Sequence, residues 1–582
     1  MLVNIIDKLG DWNPQFWREV KGSLKSRNIA IAAGAALILQ FLVGQTFLSY
    51  LPVVKIFNGA VTPTSNFYCT GSGKMCLLEN SSFVINWPWW WYHIFICLTI
   101  LVTVVLLIGG SYAIAKNLAK EERRGTLNFI RYSPQSTTTI LVGKVLGVPI
   151  LVYIFALLTA PLQLWAGFAA QISPIVIGGF WVVLAASCAF FYSIALSFGL
   201  SLSTQKANIN SDWQAGYASV LVLLFLGLSA IKPIHNNIAD WLNLFSPLIL
   251  LFHTSNPVYG ADSGIFSYWN LQNLRWFYIP VGASIWGTIT LVLLNYFVWT
   301  FWIWQVLSRR FANPQGLIIS KQQSYKFMAG FTGISLGFIL QLSNNGSDLK
   351  LLDSGGYLGA ENAILNYGIM PALLNFVVLL ILTICLSPPR QVLRDWARYR
   401  VSMRKNFPVR KQSPIKQIAQ DLVLVDKSPA PLAIAINTAI ATIPVTAVLL
   451  FYNFQYFDRI KVIFSALFFM SIVAIYASLY QFLTSMKLPQ NSNFAAMAMI
   501  SAIFLPPFSL LLLGLNMIKS PGIWLMSTWP WGGINTGKVS MMVMGLLTEW
   551  LVLILINWQL RNRLQKAGES DSKHLLATNS DH

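Results

Sequence analysis

Charge is what this 582-residue chain has least of: Asp, Glu, Lys and Arg together make up 10%, with only 20 acids and five histidines. Beside 55% hydrophobic residues and 14% aromatics, so small a charged fraction excludes a soluble multidomain enzyme and marks an integral membrane protein. Only five cysteines are present, and no Cys/His spacing points to a metal site. Cys97, Cys188 and Cys385 fall in apolar runs and read as small buried residues. Cys69 and Cys76 share one polar loop, where a small disulfide ring and two free thiols are both open readings. No cleavable signal is expected either, because the first long apolar run begins only near Asn28. That run is expected to stay as an anchor. A nucleotide-binding loop is missing too: in TGSGKMC, Thr70 to Cys76, Tyr68 stands where the first glycine belongs and Met75 where the magnesium-binding hydroxyl belongs. The chain is therefore expected not to hydrolyse ATP by itself.

What is present is a series of apolar runs of roughly 20 residues, the length that crosses a bilayer. Twelve spans are expected, at about Ile29 to Leu51, Tyr92 to Ala115, Ile140 to Trp165, Ile175 to Leu202, Ala215 to Ile231, Trp276 to Val306, Phe327 to Leu342, Tyr367 to Leu386, Pro431 to Phe454, Val462 to Met486, Phe494 to Met517 and Val539 to Leu560. The net charge of +20 is explained by topology, since most basic residues fall in segments read as cytoplasmic. It does not call for nucleic acid. Asn13-Pro14-Gln15 and Ile38-Leu39-Gln40 return as Asn313-Pro314-Gln315 and Ile339-Leu340-Gln341 at a nearly constant offset, which suggests a tandem repeat. The expected organisation is a cytoplasmic N-terminus with an interfacial helix (1–28), a first six-span half (29–310), a second six-span half (311–560) and a polar, disordered cytoplasmic tail (561–582). WPWWWY, Trp87 to Tyr92, reads as an outer aromatic belt, and LFSPLILLF, Leu244 to Phe252, as a re-entrant or interfacial segment.

The most informative stretch is KNLAKEERRGTLNFIRYSPQSTTTILVGK, Lys116 to Lys144, between the second and third apolar runs. Lys116, Lys120, Arg123, Arg124 and Arg131 mark the loop 116–139 as cytoplasmic. Leu127, Phe129 and Ile130 form an apolar stripe that Ser133-Pro134 ends, as in a short amphipathic surface helix. The order Glu121, Gly125-Thr126-Leu127, Ser133-Pro134, Gly143-Lys144 resembles the loop between spans 2 and 3 of ABC-2 type transporter permeases. That resemblance implies an all-α polytopic membrane protein with about 12 transmembrane helices in two tandem six-helix halves, with amphipathic elbow and coupling helices. It further implies a permease subunit that exports a lipid, glycan or hydrophobic compound, with ATP and magnesium bound by a separate ATP-binding subunit. Asn13 to Arg27 takes the position of the elbow helix. Glu121, Glu122, Arg123 and Arg124 would make polar docking contacts; Gly125 and Pro134 would shape the helix ends; Phe129 and Ile130 would pack in the partner's groove, with Thr126, Leu127 and Lys144 completing the motif. The implied site is a bacterial inner membrane.

The basic loop 389–428 occupies the same position in the second half but lacks the acidic-x-x-x-Gly-Thr pattern. Asp395, Trp396 and Arg398 are its docking candidates, and a solvated or anionic-lipid-binding face is the other open reading. Glu549 is the ionisable residue placed deep in a span, either functional or a protonated carboxyl bonded to a neighbouring helix. Asn295, Asn375, Asn437, Gln40 and Gln341 are expected to bond across helices, and Gly333 with Gly337 to admit close helix approach. Two other classes stay open. An ion-coupled secondary transporter or lipid scramblase needs ionisable groups near the midplane, where Glu549 stands. A membrane-embedded glycosyl or lipid transferase needs paired external acids, whereas Asp240, Asp262, Asp348, Asp353 and Glu361 are scattered.

Overall fold

Asn13 and Pro14 set the pattern for how helices start in this chain: the asparagine side chain accepts the Phe16 N–H at 3.0 Å, and proline occupies the first turn, where its missing N–H costs nothing. In the computed structural model the described residues run from 10 to 579, except 54–55, 58–59, 62–65, 71–75, 80–81, 203–210, 229–237, 255–270, 272–273, 314–315, 340–368, 407–419, 452–457 and 487–490. The fold is helical apart from two small hairpins in one loop, Ile56–Phe57 with Ala60–Val61 and Leu78–Glu79 with Ser82–Phe83. The chain is a polytopic all-α membrane protein. Nine helices among the described residues are long and apolar enough to cross a bilayer.

The chain divides into two compact units, one reaching Pro314 and taking in Leu340–Leu342, the other formed by Gln315–Ile339 and Ser343–His582. In unit 1 the helices are α1 (Pro14–Ser23), α2 (Ser26–Ser49), α3 (Trp87–Val104), α4 (Gly110–Arg123), α5 (Thr126–Arg131), α6 (Thr137–Gly147), α7 (Ile150–Ala169), α8 (Pro174–Leu202), α9 (Ser211–Leu228), α10 (Ala239–Asn243) and α11 (Ile285–Ala312). In unit 2 they are α12 (Lys321–Ile339), α13 (Met370–Leu386), α14 (Arg390–Asn406), α15 (Pro431–Phe451), α16 (Arg459–Thr484), α17 (Asn491–Leu512), α18 (Pro521–Leu525), α19 (Trp531–Ile534) and α20 (Val539–Asn579).

Every expected span contains a helix, but several differ from the sequence reading. Among the described residues the fifth, seventh and eighth show no single long apolar helix: the described apolar part of α9 is Gly216–Gly227, α12 opens on Lys321 and Lys326, and α13 bends by 66° into α14. The third is broken into α6 and α7, because Pro149 has no N–H to continue the ladder. The second is longer than expected: Trp87–Arg123 is one rod with a π-helical turn at Val105–Gly109. In that turn the Leu106 carbonyl accepts the Tyr192 hydroxyl at 2.8 Å beside the Gly110 N–H. The sixth begins at Ile285 rather than Trp276, after a Trp276–Ile279 turn and a 3₁₀ turn at Val281–Ala283.

Two further expectations are overturned. The tail is helical, since α20 continues to Asn579; an existing helix spares residues 561–579 the costly nucleation step, and no proline interrupts them. The aromatic run at Trp87 is mostly core, with Trp89, Trp90 and Tyr92 about 5% exposed. Trp89 stacks on Tyr92 at 5.1 Å and meets His93 edge-on at 4.6 Å.

Polar side chains tie spans together largely as expected. Asn437 donates to Ser324 Oγ at 2.9 Å, Gln40 donates to the Leu158 carbonyl at 3.2 Å, and Asn295 Oδ1 accepts from Trp241 and Trp299, each at 2.9 Å. Asn375 is the exception: among the described residues its side chain bonds the Pro371 carbonyl of its own helix alone, at 2.8 Å. A Cβ on Gly333 would meet nothing within 4 Å among the described residues, Gly337 is buried, and Gln341 lies outside the described residues. So do Asp262, Asp348, Asp353 and Glu361, most of TGSGKMC, and the second Asn-Pro-Gln beyond Asn313.

Candidate functional site

The loop after α4 is made by one residue. Gly125 adopts φ +70°, the left-handed region that costs a side-chain-bearing residue energy, and there the long rod stops and α5 starts. Thr126 Oγ1 donates back to the Glu121 carbonyl at 3.1 Å. Leu127 is fully buried and Ile130 nearly so, and these two seat α5 on the protein. Phe129 and Tyr132, three residues apart, project outward at 85% and 89% exposure, with Arg123, Arg124, Thr126 and Pro134 also exposed. Ser136 caps α6, accepting the Thr139 N–H at 3.1 Å.

Behind this exposed tip lies a polar clasp. Lys144, 1% exposed, pairs with Glu121 Oε2 at 2.6 Å and Glu19 Oε1 at 3.2 Å, and donates to Asn117 Oδ1 at 2.9 Å. Arg18 bonds Glu121 Oε1 at 2.6 Å, and Gln15 donates to Glu19 at 2.8 Å. α1, α4 and α6 are thereby joined. Burial alone would push the Glu19 carboxyl up, but Lys144 and Arg18 together outweigh it and hold it below the usual value.

The close approach that permits this depends on Gly143 and Gly147. A Cβ on Gly143 would lie 2.7 Å from Asn13 Oδ1 and 2.8 Å from the Phe16 nitrogen, and one on Gly147 would lie 2.8 Å from Glu19 Cβ. Asn13 completes the seam, donating to the Thr139 carbonyl at 2.8 Å. A second pair, Arg131 with Glu122 at 3.2 Å, braces α5, and the Arg131 guanidinium lies 5.5 Å from the Phe311 ring centre.

The sequence-derived residues thus separate into two sets. Glu121, Glu122, Leu127, Ile130 and Lys144 point inward and hold the loop. Arg123, Arg124, Thr126, Phe129 and Pro134 are exposed. Sequence reasoning missed Arg18, Glu19, Asn117, Gly147 and Tyr132. The Asn-Pro cap and the Gly143-x-x-x-Gly147 spacing were the available signals for the α1–α6 seam; nothing local announced the partner of Lys144.

In unit 2, Asp395 and Arg398 form a 3.9 Å surface pair on α14, and Trp396 is half-buried. A buried lysine recurs. Lys321, fully buried, donates to the carbonyls of Leu422 and Pro429 at 2.8 and 3.0 Å and to Ser428 Oγ at 2.6 Å. Its backbone N–H donates to Asp426 at 3.1 Å, and Arg400 pairs with Asp421 at 2.6 Å. Glu549, 5% exposed on α20, has no hydrogen-bond partner for either oxygen among the described residues. Cys69 and Cys76 are disulfide-bonded, and among the described residues no group of three His, Cys, Asp or Glu side chains could hold a metal. No protein-family model matches this chain, and neither the curated proteins nor the solved structures contain a match to it.

Proposed function

We propose that this chain is the membrane subunit of an ABC-2 type exporter, moving a lipid, glycan or other hydrophobic compound with ATP hydrolysed by a separate subunit. The observation that carries this reading is the exposed aromatic and basic tip of α5 held on a rigid polar base. Phe129 and Tyr132 offer rings to a groove, and Arg123 with Arg124 offers charge to its rim. Positive loop residues put this face in the cytoplasm, where an ATP-binding subunit would meet it. A push on α5 would reach α4 through Gly125, and would reach α6 and α1 through Glu121, Lys144 and Glu19. Helices that respond together are what alternating access requires. ATP and magnesium belong to the partner in this scheme.

The test is co-purification of the tagged full chain with candidate ATP-binding subunits, wild type against Phe129→Ala with Tyr132→Ala and Arg124→Glu. These side chains are exposed, so the variant should keep its thermal stability while losing the partner. If no ATPase accompanies the wild type from gently solubilised membranes, or if the variant retains it, the reading fails. Glu549 favours a second reading, an ion-coupled carrier, because a carboxyl with no bonded partner in a span is what such a carrier uses. Transport that persists without ATP and is lost in Glu549→Gln would establish it.

A further inference from the structure

Unit 2 contains a pocket of about 500 Å³, bounded by α13, α15, α16 and the segment around α19. That volume lies within the range of small-molecule sites. Its lining changes character along α16. Asp458, Lys461, Ser465 and Phe469 all line it, at the spacing of one helix face, so charge gives way to a hydroxyl and then to an aromatic ring over about 16 Å of helix. The charged end lies where α15 stops at Phe451 and α16 starts at Arg459, and both helices are long and apolar enough to cross a bilayer. The pocket therefore begins at a membrane–water boundary and runs into the hydrocarbon layer.

The deep end offers only apolar contact. Phe376, Phe469 and Trp531 form a continuous aromatic wall, with ring centres 6.3 and 6.2 Å apart in that order, and Val445 and Leu449 of α15 add aliphatic surface.

The shallow end is accessible and only partly engaged. Asp458 is exposed, and Lys461 and Ser465 are half-buried. Lys461 spends one of its three protons on the Asn535 carbonyl, at 2.9 Å, which leaves two for an incoming anion. Asp458 accepts the Ile460 N–H on Oδ1 at 3.0 Å as the cap of α16, and Oδ2 has no partner among the described residues. Ser465 makes no side-chain hydrogen bond among the described residues. A simple anion would meet the Asp458 carboxylate and a simple cation the Lys461 ammonium, so each sign alone is opposed. A head carrying both charges meets a partner at each. Residues three apart on a helix have Cβ atoms about 5–6 Å apart, a separation that the two-carbon link between a phosphate and an amine can span.

We infer that this pocket holds one bilayer lipid with a zwitterionic head, its phosphate on Lys461 and Ser465, its primary ammonium on Asp458, and one acyl chain against Phe469 and Trp531. A quaternary ammonium has no proton to give Asp458, so the primary amine is preferred. The site lies within unit 2 and does not rest on the exporter reading.

The test places the full chain in phosphatidylcholine nanodiscs with a trace of phosphatidylethanolamine that carries a diazirine midway along one acyl chain. Saturable labelling of peptides covering 441–449, 461–469 and 529–535 is expected. Replacing part of the phosphatidylcholine by unlabelled phosphatidylethanolamine should reduce that labelling several-fold, and the same fraction of phosphatidylglycerol should not. Asp458→Asn keeps an oxygen to cap α16 and removes the charge, so its melting should match wild type while the difference between the two competitors vanishes. Because the competition also runs on unaltered protein, it decides the matter even where a variant misfolds. Non-saturable labelling spread over lipid-facing helices, phosphatidylglycerol competing as well as phosphatidylethanolamine, or an unchanged preference in Asp458→Asn overturns the proposal.

Discussion

The buried lysines of the two units solve one problem with different chemistry. Lys144 faces two carboxylates and an amide, whereas Lys321 donates to two carbonyls and a hydroxyl. Their chain positions are also exchanged: in unit 1 the lysine follows the loop and the acid Glu19 comes from α1, while in unit 2 the lysine opens α12 and its acceptors lie just before α15. A cation balanced by carboxylates is held strongly but leaves buried charges behind when removed; one held by neutral dipoles leaves only unmet acceptors. The missing acidic-x-x-x-Gly-Thr pattern in the second half is thus matched by a different kind of anchor. Burial sets the cost in both.

That contrast can be broken most sharply by Lys144→Met. With Glu19 and Glu121 left facing each other, unfolding of the purified chain should be easier by about 3–5 kcal/mol, read as a lower midpoint in thermal or denaturant titration. Lys321→Met should cost less, about 1–3 kcal/mol, and parity between the two would remove the distinction drawn here. Gly143→Ala sharpens the unit 1 side: its methyl would collide with Asn13 and the Phe16 nitrogen, so about 1–3 kcal/mol should be lost and protease should reach α1 more readily.

pH separates the two anchors by range. Glu19 is depressed in the folded protein, so its contribution is present above the usual 4.5 and is lost as pH falls through its lower folded value. Lys321 lies ahead of the apolar part of α12, and burial lowers it from 10.5 to about 8 against the pull of Asp426 and Asp421. The unfolded chain then binds more protons between those values, so this group adds stability as pH rises from about 8 to 10.5. Difference curves of wild type against Glu19→Gln and against Lys321→Met should both rise with pH, the first in the acidic range below about 4.5 and the second between about 8 and 10.5; a Lys321 difference confined to the acidic range would refute the comparison. The smallest effect is expected at Asp395→Asn, whose pair with Arg398 is exposed and 3.9 Å long; a change above about 1 kcal/mol would be a surprise.

Much of the fold was legible because a bilayer demands long apolar runs, and loops that stop them stand out. The helix end at Gly125 was legible too, whereas Asn13-Pro14 and Pro149 were local signals that the sequence reading passed over. What escaped was set by partners distant in the chain. The Trp89, Trp90 and Tyr92 rings look like any interfacial belt until neighbouring helices cover them. Glu121 and Arg124 look equally available on a helical wheel, yet one pairs with Lys144 and the other is exposed.

By itself the sequence determined that this is a helical membrane protein and that a charged loop sits between its second and third apolar runs. These follow from hydropathy and spacing, which act locally. Only the tertiary structure decided that Glu121 pairs with Lys144 and Arg18, that Gly143 serves a helix seam, that Cys69 and Cys76 are bonded, and that Asn375 lines a pocket. Each of those depends on which side chain arrives from a hundred residues away or from a neighbouring turn, and burial makes every such pairing or lack of one count.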